Sequence, residues 1–211
     1  MNINHSKEGL FMNFRRRIEI SAAAALILTV ALSFFSFGAE CGKIRDDVVR
    51  LHILANSDSE EDQAVKLLVR DALLQSGEKL FSGFVTKDDA EQAIKEDKEN
   101  LEAAANRVLK ENGFEYTSYI YLTEEYFATR EYEEFTLPAG KYLAVRVVLG
   151  KGEGHNWWCV MYPPLCIPAA SEKTDIDAIL GKNGARLIRS NPKYEIRFKA
   201  VELIEKFRNK A

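Results

Sequence analysis

From Val49 to Asn56 apolar and polar side chains alternate. Val49, Leu51, Ile53 and Ala55 fall on one side, and Arg50, His52, Leu54 and Asn56 on the other. A period of two with one clean apolar face predicts a strand. The pattern then changes. Ser57, Asp58 and Ser59 each stand three residues before an acid, at Glu60, Glu61 and Asp62. Overlapping capping boxes of this kind predict a helix start. Val65, Leu68, Val69, Ala72 and Leu73 follow at helical spacing, and Asp62 precedes Lys66 by four residues, the favourable orientation. The acids sit where a helix N-terminus attracts negative charge. They lack the alternating acids and central glycine of a calcium loop, so this stretch reads as a cap.

A second helical pattern runs from about Lys87 to Asn112, capped by Thr86 with Asp89 and followed by Gly113. Ala90, Ile94, Leu101, Ala104, Ala105 and Val108 line one face, broken by Asp97. Strand character then takes over at Tyr116–Leu122, more weakly at Tyr132–Leu137, most clearly at Tyr142–Leu149, and again at Trp157–Tyr162, which Pro163-Pro164 stops. Turns at Pro138-Ala139-Gly140 and Gly150–Gly154 are short, which favours an antiparallel meander. Thr174 with Asp177 caps a short helix ending at Gly181. Asn191-Pro192 opens a last one, with Ile196, Ala200, Leu203 and Phe207 in register. The expected class is α+β: a mainly antiparallel sheet of about five strands with helices packed on one face.

The N-terminus follows different rules. Arg15, Arg16 and Arg17 precede an uncharged, mostly apolar run from Ile20 to Phe37, and small residues flank Phe37 at Ser36 and Gly38. This is the layout of a secretory leader. The run is also just long enough to span a bilayer, which takes about 20 residues, so release and retention as an anchor are both open. Residues 1–38 therefore read as a signal peptide or signal anchor, with membrane contact through residues 18–37 during export. Residues 39–211 read as one globular extracytoplasmic domain. Glu40 just before Cys41 is wrong for lipid attachment at that cysteine.

Composition narrows the chemistry. The chain has 211 residues and a net charge of −3, with no basic stripe, so a nucleic-acid surface is not expected. His52 and His155 have no zinc-like ligand spacing around them, and no metal or cofactor is expected. Of the three cysteines, Cys159 and Cys166 either form a disulfide, which export permits, or pack as small hydrophobes. A Cys159 nucleophile with His52, and with Asp58 behind it, defines the alternative of a secreted cell-envelope cysteine hydrolase. Against it, a cysteine between Trp158 and Val160 on an apolar strand is a core residue by type. Trp157 and Trp158 point to opposite faces of that strand, so one joins the core and the other is exposed or covered. An exposed tryptophan beside a rigid Pro163-Pro164 turn suits a partner-binding anchor. Arg50, His52 and Asn56 form a second candidate patch.

Two segments carry a resemblance. R-L-H-x-x-A-N-S-D-S-x-x-D-Q, starting at Arg50, and W-W-C-V-x-x-P-P-L-C, starting at Trp157, resemble the stage II sporulation protein R family of endospore-forming bacteria. The resemblance implies a non-enzymatic signalling protein, exported across the forespore membrane into the intermembrane space. There it would activate a membrane-embedded aspartic protease of the mother cell, which processes a sigma-factor precursor.

Overall fold

The computed structural model describes residues 4–81, 86–132, 135–163, 165, 176–189 and 195–209. The chain divides into two units, Met1–Glu40 and Cys41–Ala211. The first is helical: α1 runs Asn4–Asp46, and its final turn from Cys41 belongs to the second unit. The stretch from Phe14 is long and apolar enough to cross a membrane, with a mean hydropathy of 2.2 in its most apolar window. A signal sequence and a membrane anchor both satisfy that description.

The second unit continues β1 (Val49–Leu54), α2 (Glu60–Leu80), α3 (Lys87–Glu96), α4 (Lys98–Glu111), β2 (Ser118–Phe127), β3 (Arg130–Glu131), β4 (Thr136–Leu137), β5 (Gly140–Leu149), β6 (Asn156–Tyr162), α5 (Ile176–Ile188) and α6 (Glu195–Arg208). It is an α+β fold. Four strands form one sheet in the order β2-β5-β1-β6, and β3 pairs with β4 in a separate ribbon. Two of the three neighbouring pairs in the main sheet are antiparallel, but β1 and β5 run parallel, with Leu51 opposite Val145. The expected meander is therefore interrupted. β1 lies between the last two strands, β5 and β6, although three helices and three strands separate it from β5 along the chain.

The sheet's two faces differ. Val49, Leu51, Ile53, Val145, Val147, Leu149, Cys159 and Met161 point to one side and pack beneath Val65, Val69 and Leu73 of α2, Ile94 of α3 and Leu101, Ala105 and Leu109 of α4. This is the main core. The helix expected from Lys87 to Asn112 is two helices, divided at Asp97. At its end Phe114 N–H bonds Leu109 O (3.0 Å) and Gly113 N–H bonds Lys110 O (3.1 Å). With Gly113 at φ +81 this is a Schellman cap. Thr86 caps α3 as expected, accepting from Asp89 N–H at 3.2 Å.

Within α5 the backbone leaves the helical region at Gly181 (φ 67, ψ 162), so the short helix ends there as expected and a second helical segment follows it to Ile188; Thr174, its expected cap, lies outside the described residues, as do Asn191 and Pro192. In α6 the stripe Ile196, Leu203 and Phe207 faces solvent, and Phe198 and Val201 are the buried side chains.

Candidate functional site

On the other side of β1 stand Arg50 and His52. Both are buried, at 0% and 6% exposure, so this patch is not the solvated one that the alternation alone allows. Arg50 donates from Nε to Cys159 O (3.0 Å) and from Nη2 to Tyr132 Oη (2.8 Å). Its guanidinium carbon lies 4.3 Å from the Phe127 ring centre and 5.2 Å from that of Tyr142. Among the described residues no carboxylate pairs with it, and Nη1 has no hydrogen-bond partner. The cation is held by aromatic faces instead, each worth about 0.5–2 kcal/mol. Burial lowers its pKa, with the Tyr132 and Tyr142 hydroxyls acting in the opposite direction.

His52 is the centre of a second cluster. Its Nδ1 donates to Glu125 Oε2 (2.7 Å), and its Nε2 lies 2.8 Å from Asn156 Oδ1. The ring stacks on Trp158 at 3.7 Å, and Phe127 meets Trp158 edge-on at 5.0 Å. Arg146 Nη1 sits 3.3 Å from the other Glu125 oxygen. Register explains the meeting: His52 is flanked by Arg146 on β5 and Trp158 on β6, while β2 brings Tyr121 opposite Arg146. Tyr119 and Tyr121 on the same face of β2 are 53% and 52% exposed. The face thus has a closed end around Arg50 and an open end formed by Tyr119, Tyr121, Arg146, Asn156 and Trp158.

The acidic stretch does what a cap does, and more. Ser59 caps α2 through Asp62 N–H (3.2 Å). Asp62, 4% exposed, accepts from Ser57 Oγ (2.5 Å), Asn56 Nδ2 (2.8 Å) and Tyr116 Oη (2.5 Å). Burial alone would raise its carboxyl, but these hydrogen bonds outweigh it and hold the pKa below the usual range. Asn56 Oδ1 also accepts from Lys151 N–H at 3.0 Å. Asp58 accepts from the backbone N–H of His155 at 2.6 Å and from its Nδ1, which depresses its pKa. The β5–β6 turn comes so close that a Cβ at Gly154 would lie 2.1 Å from Ser57 O. Asn56 is thereby committed to joining two turns.

Both tryptophans are half-buried. Trp157 lies over the main core with the Arg70 guanidinium 4.6 Å from its ring centre. Trp158 lies on His52. Pro163 is buried, and Pro164 and Cys166 lie outside the described residues. Cys159 is disulfide-bonded and pairs across the sheet with Leu51, so its side chain and that of His52 emerge on opposite faces. Asp58 belongs to the α2 cap, away from both. The nucleophile constellation of the hydrolase alternative is not assembled. Cys41 is a buried thiol.

Glu125, Phe127, Tyr132 and Arg146 are the members that sequence reasoning missed. The strand expected at Tyr116–Leu122 starts at Ser118 and continues to Phe127. Tyr119, Tyr121, Thr123, Glu125 and Phe127 keep the period of two throughout, which was the available signal.

Fold and face together define a class: a mixed-sheet α+β domain behind an apolar leader, with one sheet face built of aromatic and charged side chains. Within that class, the family model for stage II sporulation protein R matches residues 45–172. The chain belongs to the stage II sporulation protein R family. It is 35% identical over 123 residues to stage II sporulation protein R of Bacillus subtilis (strain 168), an alignment covering 58% of this chain and 55% of that protein. The chain thus spans about half the length of this curated relative. No solved structure matches it. The matched region holds β1 to β6, including both clusters, and ends before α5 and α6.

Proposed function

We propose that this chain is an exported, non-enzymatic signal of sporulation. It crosses the forespore membrane into the intermembrane space and docks on a membrane-embedded aspartic protease of the mother cell. Docking favours the protease's active state, since a ligand activates only through its differential affinity for two states. The activated protease then removes the pro-segment of a mother-cell sigma-factor precursor. The observation that carries this reading is family membership across residues 45–172, joined to an apolar leader compatible with export or anchoring.

The docking surface we assign is the open end of the aromatic face. Tyr119, Tyr121, Trp158 and Arg146 are of the residue types enriched at interface hot spots, and the exposed Asn156 lies beside them. His52 and Glu125 hold this surface from below. The test is co-expression of the full chain with the candidate protease and the precursor in a host that does not sporulate. Cleavage that appears only when all three are present is expected. An intact precursor beside a well-folded, exported chain would overturn the proposal.

A further inference from the structure

α6 turns its apolar residues the wrong way for a helix whose only task is to cover a sheet. Phe198 and Val201 point inward at 5% and 7% exposure, and Glu205 on that side lies 3.4 Å from the Arg45 guanidinium. The opposite side presents Ile196 (79% exposed), Leu203 (57%), Ile204 (56%) and Phe207 (67%). At about 100° per residue these four fall on one stripe. Scattered exposed leucines need no explanation; four large apolar side chains in line on a helix of 14 residues do.

The charges are sorted around that stripe. Projected down the axis, Lys199 and Lys206 border it on one flank and Arg197 and Arg208 on the other, where Arg208 turns back to Glu205 at 2.9 Å. Glu202 and Glu205 lie on the far side, toward the domain. We infer that α6 is an interfacial helix whose apolar stripe enters the headgroup region of an anionic lipid bilayer, with Lys199 and Lys206 at its rim. An apolar face edged by Lys and Arg is the pattern that binds anionic membranes in the plane of the surface. A second copy of the chain fits poorly. In a symmetric pair each stripe would meet its own image, and the flanking cations would face like charge. The inference does not depend on which protein the aromatic face binds.

The test uses the full chain in lipid nanodiscs. An environment-sensitive fluorophore is placed at Leu203→Cys and, as a control, at Lys95→Cys on α3. With phosphatidylglycerol discs, quenchers embedded in the bilayer should quench the probe at 203 and leave the probe at 95 unaffected. With phosphatidylcholine discs, quenching at 203 should fall about threefold or more, as it should on anionic discs when Lys199→Glu and Lys206→Glu are combined. Thermal melting that matches the parent shows that these variants stay folded. Three results would overturn the inference: equal quenching at 203 and 95 on anionic discs, equal quenching at 203 on both lipids, or shielding of 203 in detergent that grows with protein concentration.

Discussion

The two faces of the central sheet are made by the same strands and obey opposite rules. Toward α2, α3 and α4, β1 contributes Val49, Leu51 and Ile53, each at 0% exposure among apolar neighbours. One residue out of step it contributes Arg50, equally buried, and His52, nearly so. The first face minimises free energy in the ordinary way, about 25 cal/mol for each Å² of apolar surface removed from water. The second keeps a cation among rings, its Nη1 without a hydrogen-bond partner among the described residues. Buried ionic groups are often replaceable by hydrophobic ones at no cost in stability. On the function proposed above, the aromatic face serves recognition and the core face serves folding.

The sharpest way to break this contrast is to alter neighbouring positions of β1. Leu51→Ala should lower unfolding free energy by about 3–4 kcal/mol in denaturant titrations. Arg50→Met should stay within about 1 kcal/mol of the parent yet impair precursor processing. If Arg50→Met proved as destabilising as Leu51→Ala, the two faces would share one structural role.

The cap offers the next largest effect. Asp62→Ala removes the acceptor for Ser57, Asn56 and Tyr116 and should cost about 2–3 kcal/mol. Because the folded pKa of Asp62 is depressed, its contribution is complete above the unfolded value of about 3.9 and is lost as pH falls through the lower folded value. Asp62→Asn should therefore flatten the acid limb of a stability-versus-pH curve. An unchanged acid limb would show that other carboxylates govern acid unfolding.

The smallest stability change is expected at the open end of the aromatic face. Tyr121→Ala removes a side chain that is 52% exposed and should move stability by no more than about 0.5 kcal/mol. Processing in the co-expression assay should nevertheless drop. Undiminished processing would move the docking surface elsewhere.

Local patterns predicted local structure well. Alternation from Val49 to Asn56 gave β1 and the identity of its core face. Serine-to-acid spacing gave the start of α2, and Gly113 gave the end of α4. What they missed depends on distance in sequence. Nothing near Arg50 announces that Phe127, Tyr132 and Tyr142 will close over it, so a position that alternation leaves polar is buried. The parallel pairing of β1 with β5 is likewise set by partners separated by three helices. In α6 the 3.6-residue period correctly gave a helix and an apolar side. Periodicity does not say whether that side faces the protein, and here the inward contacts belong to Phe198 and Val201. The candidate site was half legible for the same reason: His52 and Trp158 stood out as residues, but their junction with Glu125 and Arg146 needed the register.

The strand order β2-β5-β1-β6 also bears on timing. Neither β1 nor β2 has a partner in the main sheet until β5 arrives. A chain that becomes available from its N-terminus would have no strand pair of the main sheet to assemble before residue 140, and only the short β3-β4 ribbon could form earlier. A half-delivered copy could not display the aromatic face.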